Sequence, residues 1–288
     1  MCVTFIYCND NPPADGYKLV IASNRDETYS RETKPLHHWP NRTIIGGQDA
    51  VKGGTWLAAS PNGKIGVLLN VLGENSRPNA KDRGPIVMEY VEGDRTAEEY
   101  LQGLKKATED MVYNGFHSII VELTSINSSI YHYCNVSPNP KITKITDIQT
   151  NAVEEANVYG FGNSQCISTP FEKVKFGRRK FAEIIHKYNK QSETQNLIDN
   201  VLDLMKNKQR NYPDPEIDRK AEPSMDLEYK MRYSALYVDI SSKLYGTRTH
   251  SIILIDQNNV MDFHEWTMEN WETQEWKHTH IREQLKLT

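Results

Sequence analysis

MCVTFIYCNDNPPADGYKLVIASNRDE, residues 1–27, holds the stretch on which the fold turns. Val3 to Tyr7 and Leu19 to Ser23 are short runs rich in β-branched and aromatic side chains, and Asn9, Pro12, Pro13 and Gly16 stand between them. Branched and aromatic side chains pack well on a pleated surface, whereas proline, glycine and asparagine turn the chain, so two strands joined by a turn are predicted. The chain therefore begins directly on a strand, and its second residue is a cysteine. Initiator methionine is removed when the next side chain is small, which would leave Cys2 with its α-amine and thiol on one carbon framework. Those groups titrate near ~7.7–8.0 and ~8.5, so a modest local shift makes one a base and the other a nucleophile without any histidine. The blander reading is a small residue opening an edge strand. Ser23-Asn24-Arg25-Asp26-Glu27 closes the second run. Alternation puts Asn24 and Asp26 on one face and Arg25 on the other. A carboxylate such as Asp26 beside a terminal amine can hold it and tune its protonation, while Arg25 and Glu27 are placed to pair.

Outward from this start, Gly46-Gly47 and Gly53-Gly54 frame a loop ahead of Thr55 to Ala59, and Pro61-Asn62-Gly63 turns the chain into Ile65 to Val71 as a second hairpin. Thr96 followed by Glu99 is a capping box that opens a helix to about Met111, with Tyr100, Leu104 and Met111 at helical spacing. Strands are predicted at Ser118 to Leu123 and Ile130 to Cys134, a basic helix from Phe171 to about Tyr188, and another helix from Gln195 to Lys206. Asn211 to Met225, with Pro213, Pro215 and Pro223, reads as a surface loop. Thr249 to Ile255 and Val260 to Trp266 form a last hairpin about Gln257-Asn258-Asn259. Hairpins at both ends with helices between predict an α+β chain of antiparallel sheets covered by helices. No linker or repeat breaks it, so residues 1–288 are expected to be a single domain.

Composition removes several function classes. Lys+Arg of 34 against Asp+Glu of 38 gives a net charge of -4, which would not draw the molecule onto nucleic acid or an anionic membrane. No stretch approaches the ~20 apolar residues of a spanning helix, and the first apolar run is too short for a signal-peptide core. A cytoplasmic location is the default. Cys2, Cys8, Cys134 and Cys166 are widely spaced, signalling neither a disulfide framework nor a thiolate zinc site. No metal site is assigned.

Taken singly the remaining motifs are weak, and their order along the chain gives them weight. They are the opening Met1-Cys2-Val3-Thr4-Phe5, Ser23 to Glu27, Gly53-Gly54-Thr55-Trp56-Leu57-Ala58, Leu69-Asn70-Val71, Gly162-Asn163-Ser164, Thr169-Pro170 and Tyr245-Gly246-Thr247-Arg248-Thr249. Running in this order over almost the whole chain, they resemble in combination the NRDE family of transport and Golgi organisation proteins. That family in turn resembles the cysteine N-terminal-nucleophile hydrolases, which implies a four-layer αββα sandwich. Carried over by motif, Cys2 is the implied nucleophile, Asp26 the carboxylate near its amine, Asn163 a second polar site residue and Arg248 a late arginine facing the nucleophile. Asn70 is the implied oxyanion-hole amide, a kind of donor that contributes ~3–4 kcal/mol to acyl transfer. Asn24, Arg25, Glu27, Gly54 and Trp56 are the implied ligand-binding residues. One place departs from the pattern: the hydrolases carry an arginine where this chain has Ser23, and the arginine here is Arg25.

The resemblance implies intracellular haem trafficking first, with haem as cargo, and association with mitochondria or Golgi. The alternative is a Cys2-dependent amide or thioester hydrolase, or an acyl-CoA-binding protein of lipid metabolism; hydrolysis of this kind needs no cofactor. The residues add little to a haem reading, since no Cys-Pro pair or CxxCH occurs. His37, His38, His132, His250 and His264 are the candidate iron ligands, and the simpler reading of each is an ordinary surface or strand histidine. For acyl-CoA phosphates, the densest basic run is Lys173, Lys175, Arg178, Arg179 and Lys180, which also fits a solvated helix face.

Overall fold

The structure is a computed structural model that describes residues 2–73, 77–148 and 155–288. The chain divides into two compact units, Met1–Ser30 with Gln149–Glu283 and Arg31–Ile148 with Gln284–Thr288. Most of the second is therefore inserted, along the chain, within the first, and no proline- or glycine-rich linker marks either crossing.

The first unit opens with β1 (Val3–Cys8) and β2 (Tyr17–Thr28), antiparallel with Val3 opposite Asn24 and Cys8 opposite Leu19. Asp15 adopts a positive φ in the turn between them, where the Gly16 N–H donates to the Pro13 carbonyl. β2 runs five residues beyond the apolar stretch that predicts it, through Asn24, Arg25 and Asp26, all buried. Polar residues can continue a strand inside a protein when each finds a partner, and here the partners come from neighbouring strands and loops.

The second unit follows as β3 (Thr33–His38), β4 (Ile45–Asp49), β5 (Leu57–Ala59), β6 (Lys64–Asn70), α1 (Gly84–Glu92), α2 (Ala97–Asp110), β7 (Phe116–Leu123), β8 (Ser128–Cys134) and β9 (Thr143–Lys144). Its strands form one antiparallel sheet in chain order. Gly46-Gly47, expected in a loop, lies inside β4, where a Cβ on Gly46 would stand 2.7 Å from the Leu57 carbonyl oxygen. The Thr96/Glu99 capping box is formed at the start of α2. α1 and α2 bury Ile86, Val87, Tyr90, Leu101 and Leu104 in one cluster with Leu68, Phe116 and Ile120 of the sheet.

The chain then returns to the first unit with β10 (Val158–Phe161), α3 (Glu172–Tyr188), α4 (Thr194–Met205), α5 (Pro215–Lys220), α6 (Leu227–Tyr233), β11 (Asp239–Ile240), β12 (Tyr245–Asp256), β13 (Val260–Asn270) and β14 (Glu275–Gln284). The strand order is β10-β1-β2-β12-β13-β14, with β11 also paired to β12. β1 thus has a neighbour on each side, so Cys2 leads into an interior strand rather than an edge. α3 lies against β1 and β10, with Phe5 stacked on Phe181 at 5.9 Å between centroids. The Asn211 to Met225 segment, expected as loop, contains α5, and β14 adds a strand beyond the predicted hairpin. Each unit combines an antiparallel sheet with helices, the α+β class. Among the described residues no helix is long and apolar enough to cross a membrane.

Candidate functional site

The candidate site of the first unit is built where β1, β2, β10 and β12 meet. Cys2 is 8% exposed, and its backbone N–H donates to Asn163 Oδ1 at 3.0 Å. Asn163 is fully buried two residues beyond the end of β10, and Gly162 lets the chain pass there: a Cβ on it would come within 2.6 Å of Val174 on α3. Met1, whose removal would turn this N–H into an amine, lies outside the described residues.

Asp26 is buried one strand over. Its Oδ1 accepts a 2.6 Å hydrogen bond from the Thr247 hydroxyl, which itself accepts from the Val238 N–H at 2.9 Å. The hydroxyl proton is therefore committed to the carboxylate, and the carboxylate is fixed in orientation. Burial raises the Asp26 carboxyl above its ordinary range, with the Lys173 charge and the Thr247 hydrogen bond acting the other way. Burial likewise raises the Cys2 thiol; Asp26's charge adds to this, whereas its backbone N–H and the Arg25 charge oppose it.

Arg25 is buried and lies 3.9 Å from Glu27. Its charge favours the Cys2 thiolate even though Ser23 stands where the hydrolases carry arginine. Ser23 instead shares a 2.9 Å hydroxyl hydrogen bond with Thr4. Arg248 sits at a register shift of β12 against β2, between Thr247 and Thr249. Such bulges re-aim a side chain. Its guanidinium reaches the Thr28 and Met268 carbonyls at 3.4 Å, and burial, then the neighbouring Arg25, lower its pKa.

Asn24 has a different occupation. Its Nδ2 donates to the Met205 and Leu236 carbonyls at 2.8 and 2.9 Å, and its Oδ1 lies 2.7 Å from His250 Nδ1. Met205 is the last residue of α4, so Asn24 satisfies one of the carbonyls that a helix end leaves without an internal partner. Gly54, Trp56 and Asn70 belong to the second unit. Gly54 meets Gly84 backbone to backbone, Trp56 is buried, and Asn70 ends β6 opposite Phe116, exposed.

Two residues of the site escape the sequence reading. Lys173 belongs to the basic run, yet it is fully buried while Lys175 and Arg178 of the same run pair with acids at the surface. Its Nζ donates to the Tyr233 and Ala235 carbonyls at 2.8 and 3.1 Å and stands 5.1 Å from the Tyr233 ring centroid. Burial lowers its pKa, and the charges of Asp26 and Cys2 raise it. The only available signal is its position, beside Val174 and four residues before Gly177 on the buried stripe of α3. Tyr233, at the end of α6, is buried with no hydrogen-bond partner for its hydroxyl among the described residues. Burial first, then Tyr229, Asp26 and Cys2, hold that phenol protonated.

The family model described as Transport and Golgi organisation 2 matches residues 1–270. The chain belongs to this family. Among Transport and Golgi organisation 2 relatives, it is 34% identical over 297 residues to Transport and Golgi organization protein 2 of Drosophila melanogaster, covering 99% of each chain. It is 31% identical over 290 residues to the Homo sapiens homolog, covering 97% of this chain and 99% of that one. Solved structures similar to it include a Caenorhabditis elegans ortholog of N-acylethanolamine-hydrolyzing acid amidase, with TM-score 0.47 and 8% identity over 88% of this chain and 92% of that one. A variant of the conjugated bile acid hydrolase of Clostridium perfringens is similar with TM-score 0.49 and 11% identity, over 97% and 92% of the two chains.

Proposed function

We propose that this Transport and Golgi organisation 2 family member is a Cys2-dependent acyl-transfer enzyme acting on an amide or thioester. The observation that carries the reading is the Cys2 backbone nitrogen, held 3.0 Å from Asn163 Oδ1 beside a buried carboxylate whose orientation Thr247 fixes. Burial keeps the thiol protonated until a base stands next to it. Release of Met1 supplies that base as the α-amine of Cys2 itself. The amine takes the thiol proton, the thiolate sulfur bonds to the carbonyl carbon, and collapse expels the amine or thiol of the substrate, which leaves with that proton. Water then attacks the acyl-cysteine, giving the free acid and restoring the thiol.

Intact mass of the purified protein before and after an acylating thiol probe, with peptide mapping and with haem and an acyl-CoA as competitors, tests this. Loss of Met1 and selective labelling of Cys2, absent in Cys2→Ala, support the reading. A retained Met1 with an inert Cys2 would sink it. Saturable haem or acyl-CoA uptake in that same protein would instead favour the carrier reading that the family resemblance implies.

A further inference from the structure

β13 and β14 carry a second cluster that the candidate site does not use. Asp262 and His264 alternate onto one face of β13, and His280 joins them from β14. One ligand atom from each lies within 4.8 Å of the others. The His264 and His280 rings stack at 4.0 Å between centroids, 2° from parallel, and His280 Nε2 lies 2.7 Å from Asp262 Oδ1. Around them, His278 Nε2 lies 3.2 Å from His264 Nδ1, and Arg282 holds the other Asp262 oxygen at 3.2 Å. The ring of His278 in turn stacks on Trp266 at 4.3 Å.

We propose that Asp262, His264 and His280 bind a divalent transition-metal ion, zinc foremost, as a clamp between β13 and β14. Two imidazoles and a carboxylate are a donor set that suits zinc and its neighbours rather than calcium or magnesium. Tetrahedral zinc with bonds of ~2.0–2.1 Å needs donors about 3.4 Å apart, so the three donors have to draw together from within 4.8 Å. Because an imidazole lone pair lies in its ring plane and the two rings stack 2° from parallel, the His280 ring also has to rotate out of the stack to aim at the same ion. His280 is 40% exposed on the outermost strand and has room to turn inward. His278 and Arg282 are already placed as the outer partners that orient a ligating imidazole and carboxylate. The sequence shows no compact motif for this site because the donors are separated by a strand, a turn and half of the next strand.

Titration of the purified full-length protein with Co2+ and Zn2+, followed by visible absorption, calorimetry and thermal unfolding, decides the matter. One equivalent of Co2+ should give d–d bands without a thiolate charge-transfer band, Zn2+ should displace it, and Zn2+ should raise the melting temperature. Because His280 is half-exposed on an edge strand, His280→Asn should fold as the parent does and lose both the bands and the thermal shift. His278→Gln should weaken binding by about 10-fold or more. Cys2→Ala should bind normally. No saturable uptake, uptake unchanged in His280→Asn, or a thiolate band that disappears in Cys2→Ala would each overturn the proposal.

Discussion

Asn24 commits both amide protons and its carbonyl oxygen to partners distant in sequence, Met205, Leu236 and His250. Truncation leaves buried acceptors unsatisfied at ~1–3 kcal/mol each, so Asn24→Ala should lower stability by about 3 kcal/mol or more in urea unfolding. An unchanged midpoint would mean that the loop and helix end find other partners. Lys173 bears on the charge state of the candidate site as well as on folding. Its charge lowers the Asp26 carboxyl, and the attraction between it and the Cys2 thiolate is mutual. Lys173→Met should therefore move the pH profile of Cys2 alkylation to higher pH, a readout that a purely structural lysine would leave in place. The types of these residues are legible in the sequence and their partners are not. Alternation predicts that Asn24 and Asp26 share a face, but whether a buried amide meets backbone or ligand depends on chain more than a hundred residues away.

Elements whose signal is local are the ones that the sequence predicts well. The capping box of α2 forms because Thr96 and Glu99 satisfy each other's backbone groups within one turn. β1, β12 and β13 follow from branched runs bounded by turn residues. β4 and β14 do not, because Gly46-Gly47 reads as a turn and the alternation of β14 is among charged and imidazole side chains. Glycine there reports a close approach between elements, which a linear reading cannot see. Gly54 and Gly177 separate two kinds of approach. A Cβ at Gly54 meets the Gly84 backbone at 2.6 Å, where nothing can yield without moving α1. A Cβ at Gly177 meets the ring tip of Phe5 at 2.2 Å, and alanine inside a helix also recovers about 1 kcal/mol of propensity. Overpacking costs ~1–3 kcal/mol, so Gly54→Ala should lie near the upper end and Gly177→Ala at ~0–2 kcal/mol. Phe5→Leu should recover part of the Gly177→Ala loss, which a double-mutant cycle in thermal unfolding measures. Equal losses at both glycines would contradict the distinction.

Each unit carries a deeply buried histidine that contributes to the response to acid, and in the first unit burial also lowers the less deeply buried His264 to about 4. Burial lowers His250 in the first unit to about 3, and burial and then the adjacent His117 hold His132 in the second well below its ordinary value. In the unfolded chain both titrate near ~6.5, so the unfolded state takes up protons that the folded state refuses. Their contribution to stability is complete above that pH and is lost as pH falls toward the folded values. The slope is about 1.4 kcal/mol per pH unit for each such histidine across the window. Asp26 works in the opposite direction, because its raised folded pKa makes the folded state the better proton acceptor as the solution acidifies. Urea unfolding between neutral pH and pH 5 should show stability falling with acid, and His250→Gln should reduce that slope by the equivalent of one proton. A loss of packing in His250→Gln would shift stability equally at every pH, so the slope isolates the titration. His132→Gln should remove a second proton's worth, and the double variant should lose both. A slope unchanged in the double variant would place the acid sensitivity on other groups.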